Sequence, residues 1–164
     1  MRGLEEKNDT YEKIVGFGRG YVIVIMASGH KIKYYNGTLS WRNNNPGNLK
    51  YGPFAKARGA LGSGSGGHAI FPTYWVGRAA MKDLLFGKDS NYINLTLEKA
   101  IARYAPSSDR KARNRPKTYA RFLSRETGVP MNKVLADCTE EEKEKLLKKM
   151  IVYEGFKVGN MAFV

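Results

Sequence analysis

Residues 21–41 read YVIVIMASGHKIKYYNGTLSW, and this stretch decides the fold class. Its β-branched and aromatic content favours pleated strands over helix. Tyr21–Ala27 is expected as one strand, Ser28-Gly29 as a turn and Lys31–Tyr35 as a second strand. Asn36-Gly37 is a strong two-residue hairpin signal, which makes Thr38–Trp41 a third strand. Upstream, Gly16-Phe17-Gly18-Arg19-Gly20 breaks any helix. Residues 1–15 therefore read as a polar lead-in with one helical turn around Tyr11–Val15, and residues 16–164 as a single domain.

Downstream the pattern changes. Residues 42–72 are irregular, with a turn-rich Asn43–Asn48 and a flexible Gly62–Gly67. From Thr73 the apolar spacing turns helical: Thr73–Phe86, Thr96–Ala105, Lys117–Thr127 and a short Met131–Ala136. The last helix starts at a capping box, Thr139 with Glu142, and ends at Gly155, with Leu147, Met150 and Ile151 as its stripe. A strand-rich first half and a helical second half imply an α+β fold, a small antiparallel sheet with a mainly helical lobe.

Composition narrows the chemistry. Cys138 is the single cysteine, so an internal disulfide or a cysteine zinc cluster is excluded, and burial as a small apolar side chain suits it best. His30 and His68 form no metal-ligand pattern, so neither metal nor cofactor is expected. Neither glycine cluster is followed by the lysine of a phosphate loop. The longest apolar run, Val22–Ala27, is far short of the roughly 20 residues of a membrane span. The acidic Met1–Glu6 does not read as a signal peptide. The net charge is +13. From Lys13 to Lys82 inclusive there is no Asp or Glu but ten Lys and Arg, and a second basic block spans Arg103–Arg125. Such a surface attracts polyanions: nucleic acid, anionic lipid or anionic wall polymer.

Few carboxylates can serve as acid or base. Glu154 follows Leu147, Met150 and Ile151 at helical spacing, so it points to the buried face. Burial and the negative helix end both favour its protonated form, the form needed to cleave a glycosidic bond. Exposure at the helix end, or pairing with an arginine, is the competing expectation. Asp109 and Glu12 are the other candidates. Asn43–Asn48 also reads in two ways: a loop held by amide-to-backbone bonds, or, beside Trp41 and Tyr51, a polar and aromatic surface for sugars.

Ser40-Trp41-Arg42-Asn43-Asn44-Asn45-Pro46-Gly47-Asn48 resembles the R-N-N-N-P-G-N block of a lysozyme-like family of phage structural proteins and type VI secretion spike and cargo proteins. Gly67–Phe71 is similar to that family's G-F-A-x-F, Gly77–Ala80 to its G-x-x-A helix, and Ala100–Pro106 to its A-I-x-x-Y-A-P. Ile151–Gly155 is similar to its closing I-x-x-H-E-G, with Tyr153 where histidine is common. The resemblance spans residues 21–156. It implies a peptidoglycan-degrading muramidase or lytic transglycosylase cutting the N-acetylmuramic acid to N-acetylglucosamine linkage. Glu154 would be the acid, and Trp41, Arg42, Asn43, Asn45, Asn48, Tyr51 and Tyr104 would bind substrate. A family acid after Y-A-P transfers to Asp109. Lysozyme-like domains place the catalytic glutamate before their sheet, so a last-placed Glu154 implies a circularly permuted core.

The partner implied is the peptidoglycan glycan strand, with a cognate immunity protein or delivery spike beside it, and the chain is expected as a monomer. It would be made in the cytoplasm, delivered, and act in a target cell's periplasm or wall. Nucleic acid is not expected. The other class left open is a non-catalytic basic domain of a virion or secretion spike that grips wall polymer or nucleic acid.

Overall fold

The structure is a computed structural model, and it describes residues 10–105 and 115–164. The chain divides into two compact units, residues 1–81 with 154–164 and residues 82–153.

The first unit is built on a four-stranded antiparallel sheet. Strand β1 is Tyr11–Gly18, β2 is Tyr21–Met26 and β3 is Lys31–Tyr35. Tyr11–Val15 is thus strand and not a helical turn. It pairs with β2 from Tyr11↔Met26 to Gly18↔Tyr21, with two bulges on the way. The Tyr21 ring lies over Gly18, where a Cβ would come within 2.5 Å of its outer edge and displace it.

The third strand expected at Thr38–Trp41 is instead a short helix, α1, Leu39–Arg42. Thr38 caps it by accepting from the Trp41 N–H. Asn36 and Gly37 do take the left-handed backbone of a tight turn, at φ 58° and 62°. Lys157 and Gly159 crowd that turn, however: a Cβ on Gly37 would sit 2.6 Å from their backbone. The neighbour of β3 is therefore β6, Asn160–Phe163, from the far end of the chain, in the order β1-β2-β3-β6.

The 42–72 segment is more ordered than its composition implies. After α1 come α2, Pro53–Ala57, and β4, Gly62–Ser63, which pairs with β5, Ala69–Ile70, across a 3-10 turn at Ser65–Gly67. Alternate residues of β2 and β3 enter a core of Tyr11, Val22, Val24, Met26, Ile32, Tyr34, Trp41 and Ile70. Ile14 and Phe156 pack on its margin.

Helix α3, Tyr74–Phe86, runs across the division between the units. The second unit then holds α4, Leu97–Tyr104, α5, Pro116–Thr127, and most of α6, Glu140–Glu154. Thr96 caps α4, and Gly128 ends α5 in the left-handed conformation. The capping box of α6 is present in both directions, Glu142 N–H to Thr139 Oγ1 and Thr139 N–H to the Glu142 carboxylate. Leu97, Ala100, Ile101, Tyr119, Ala120, Leu123, Leu146, Leu147 and Met150 are buried.

The short helix expected over Met131–Ala136 is reduced to a 3-10 turn at Leu135–Asp137. The backbone before it is used elsewhere: the carbonyls of Lys133 and Met131 accept from the N–H groups of Leu97 and Glu98. Those donors have no partner inside α4, so bonding them outweighs one more helical turn.

No helix among the described residues is long and apolar enough to cross a membrane. They hold no cluster of His, Cys, Asp or Glu suited to a metal ion. Cys138 is buried and reduced, and desolvation raises its thiol pKa.

Candidate functional site

Three stretches of the first unit meet around α1 and the Asn43–Asn48 block: the block itself, residues 69–77 and the chain after Glu154. Asn45 is 1% exposed, and its amide uses both ends. Nδ2 donates to the carbonyls of Leu49, at 2.9 Å, and Ala69, at 3.0 Å, while Oδ1 accepts from the Leu49 N–H. Asn44 donates to the carbonyls of Phe71 and Pro72. Between them the two amides lock the block to β5 and to the start of α3.

Helix α3 can approach because of Gly77. A Cβ at that position would lie 2.0 Å from the Asn44 carbonyl oxygen. The G-x-x-A spacing thus has a local reason: the helix backbone presses on the loop.

The remaining stretch is Glu154–Phe156. Gly155 ends α6 at φ 93°. Its carbonyl accepts from Ser40 Oγ at 2.8 Å. Thr38 and Lys157 bond reciprocally, Thr38 N–H to the Lys157 carbonyl and Lys157 N–H to Thr38 Oγ1. The backbone on the C-terminal side of Glu154 is therefore stitched to the first turn of α1. Glu154 itself is half-buried, with its Oε2 closed to solvent.

Most side chains expected to touch substrate are inside the protein. Trp41 is 1% exposed, so it is a core side chain and offers no face to a sugar. Asn43 is buried against Gly64, whose added Cβ would sit 3.2 Å from its Nδ2. Arg42 is buried too, and donates to the carbonyls of Asn36 and Gly37. Desolvation lowers its pKa. Of the two readings of the block, the amide-held loop describes Asn44 and Asn45.

Asn48 and Tyr51 differ, since both are half-buried. Asn48 takes a left-handed backbone, φ 52°. Among the described residues its side-chain amide makes no hydrogen bond, and the residue is partly open to solvent. Tyr104 belongs to the second unit, edge-on to Tyr92 at 6.3 Å. Asp109 lies outside the described residues. Glu12 is exposed on the edge strand β1. Among the described residues of the first unit, Glu12 and Glu154 are the only acidic side chains.

Trp75 was not singled out by its sequence, yet it is the exposed tryptophan, at 63%. The α3 period could have identified it. Tyr74, Gly77, Ala80, Met81 and Leu85 form the buried stripe, and position 75 falls outside it.

Tyr153, just before Glu154, stacks on Tyr119 at 3.9 Å with rings nearly parallel. An aromatic at this position anchors the last turn of α6 to α5. No family model matches the chain, and no curated protein matches it.

Proposed function

We propose that the protein cleaves peptidoglycan glycan strands, with Glu154 as general acid at the linkage between N-acetylmuramic acid and N-acetylglucosamine. One observation carries the reading. The glutamate that closes the motif series is anchored, through Gly155 and Ser40, to the helix that opens it. A general acid must be held within hydrogen-bond reach of the leaving oxygen, and a fixed backbone on its C-terminal side helps to provide that.

The carboxylate inventory bears on the mechanism. Hydrolases that invert or retain configuration use two carboxylates on opposite sides of the bond. In the described first unit the other candidate, Glu12, is exposed on an edge strand. A lytic transglycosylase route needs a single acid: Glu154 would protonate the leaving oxygen and then take a proton from the sugar hydroxyl that closes the ring. Asn48 and Tyr51 would contact the glycan. Asn44 and Asn45 would hold the loop that carries them.

Delivery by a phage or a secretion apparatus, action in a target cell's wall, and neutralisation by an immunity protein all belong to this reading. The basic surface supports it, because bacterial walls carry anionic polymers and steering raises encounter rates. The same charge supports the second reading, a non-catalytic domain gripping wall polymer or nucleic acid.

The test is digestion of purified sacculi followed by mass spectrometry. Anhydro-ended muropeptides, lighter by one water than hydrolysis products, would establish the transglycosylase route. Reducing ends would indicate a hydrolase, and peptide-bond fragments alone would end the glycosidase reading.

A further inference from the structure

Trp75, the second residue of α3, is 63% exposed, while the residues of the helix stripe beside it are buried. An isolated exposed apolar side chain is ordinary by itself; what sets Trp75 apart is how it is held. The support is continuous. Trp75 meets Tyr74 edge to face, centroids 4.9 Å apart and planes at 89°. Tyr74 meets Phe156 in the same way, at 5.3 Å and 75°. Phe156 packs against the buried core, two residues beyond Glu154. The Tyr74 ring is 9% exposed and is tied by a hydrogen bond with Arg78.

An aromatic relay thus runs from the core, past the Glu154 segment, to a flat ring at the surface. We infer that Trp75 is a sugar-stacking platform that seats a pyranose ring of an N-acetylated glycan strand. The C–H face of a pyranose is apolar and matches an indole face, while the hydroxyls and acetamido groups around its rim stay hydrated or meet amides. Trp75 takes the part that its buried counterpart Trp41 cannot. A rigid indole loses little side-chain entropy on binding, because its ring is already held at the edge. The inference rests on the glycan-cleaving reading for its substrate class, but not on Glu154 performing the chemistry.

The test uses tryptophan emission from the Glu154→Gln protein, which binds without turnover on this account. The probes are peptide-free glycan strands released from sacculi and the N-acetylglucosamine tetrasaccharide. Saturable binding is expected to shift the emission to the blue and to protect it from iodide quenching. Trp75→Leu is expected to abolish the shift and to weaken binding about tenfold, or about 1.4 kcal/mol. Trp75→Tyr is expected to recover part of the affinity, and both variants to melt with the parent. Emission indifferent to both probes, or a Trp75→Leu protein that binds like its parent, overturns the inference. Sacculus digestion by the wild-type protein is run alongside. Digestion with a silent Trp75 defeats the platform alone. A glycan-dependent shift without digestion keeps the platform and defeats the catalytic reading.

Discussion

Asn45 carries three main-chain bonds on one buried amide, to Leu49 N–H, Leu49 C=O and Ala69 C=O. Alanine would strip that partner from the Leu49 N–H and the Ala69 C=O in a buried site, while the Leu49 C=O keeps the Ala69 N–H. Each orphaned group costs about 1–3 kcal/mol, so Asn45→Ala is expected to lose about 2 kcal/mol or more. A thermal melt will read this as a clear drop, with any loss of activity following the loss of fold. A melt equal to wild type alongside lost activity would instead make Asn45 a substrate contact. Nothing in the local pattern distinguishes the asparagines from Asn43 to Asn48. Which of them build and which remain available depends on β5 and on α3, whose approach through Gly77 no local pattern encodes.

At the scale of elements, signals local in sequence were legible and those relying on distant partners were not. The caps at Thr96 and Thr139, the stop at Gly128 and the stripe of α6 need only neighbours within a few residues, and each is where its residues place it. Thr38–Trp41 was misread because strand and helix differ there by one capping hydroxyl and by crowding from Lys157 and Gly159. Strand β6 went unnoticed because it is four residues long and mostly exposed. Of the candidate site, the pairing of Ser40 with Gly155 joins positions 115 residues apart and could not be read locally. The capping box of α6 supports a pH prediction. Hydrogen bonding from Lys133, then from Thr139, holds the Glu142 carboxyl below its ordinary value. A depressed folded-state pKa gives stability that is present above the unfolded value, about 4.3, and lost as pH falls through the folded value. Glu142→Gln is therefore expected to lower the melting temperature near neutral pH, with the gap closing in acid. A gap that stays constant with pH would show that the charge plays no part.

Over the whole molecule, the net charge of +13 has its own consequence. The first unit, as described, has just two acidic side chains, whereas the second spends many of its cations on the acidic turns of α6. Lys82 bonds Glu140 and Glu144, Lys133 bonds Glu142, and Lys143 bonds Glu140. Binding to intact sacculi is expected to weaken steadily as salt rises, because exposed charges are screened over about 8 Å at physiological ionic strength. Cosedimentation across a salt series measures it. Binding unaffected by salt would assign the attachment to contacts such as Trp75 and leave the charge incidental. Tight binding to DNA with a steep salt slope would favour the non-catalytic reading.

Glu154, whose neighbouring backbone is fixed to the first motif, is the proposed acid of the reaction. The most direct measurement compares muropeptide release from purified sacculi by wild-type and Glu154→Gln proteins, with thermal melts taken on both. Glutamine keeps the size of the side chain but has no acidic proton to give. The account predicts equal melts, retained sacculus binding and release lowered by at least the 10²- to 10⁴-fold, roughly, that a general acid contributes. A Glu154→Gln protein that releases muropeptides at near the wild-type rate would contradict it.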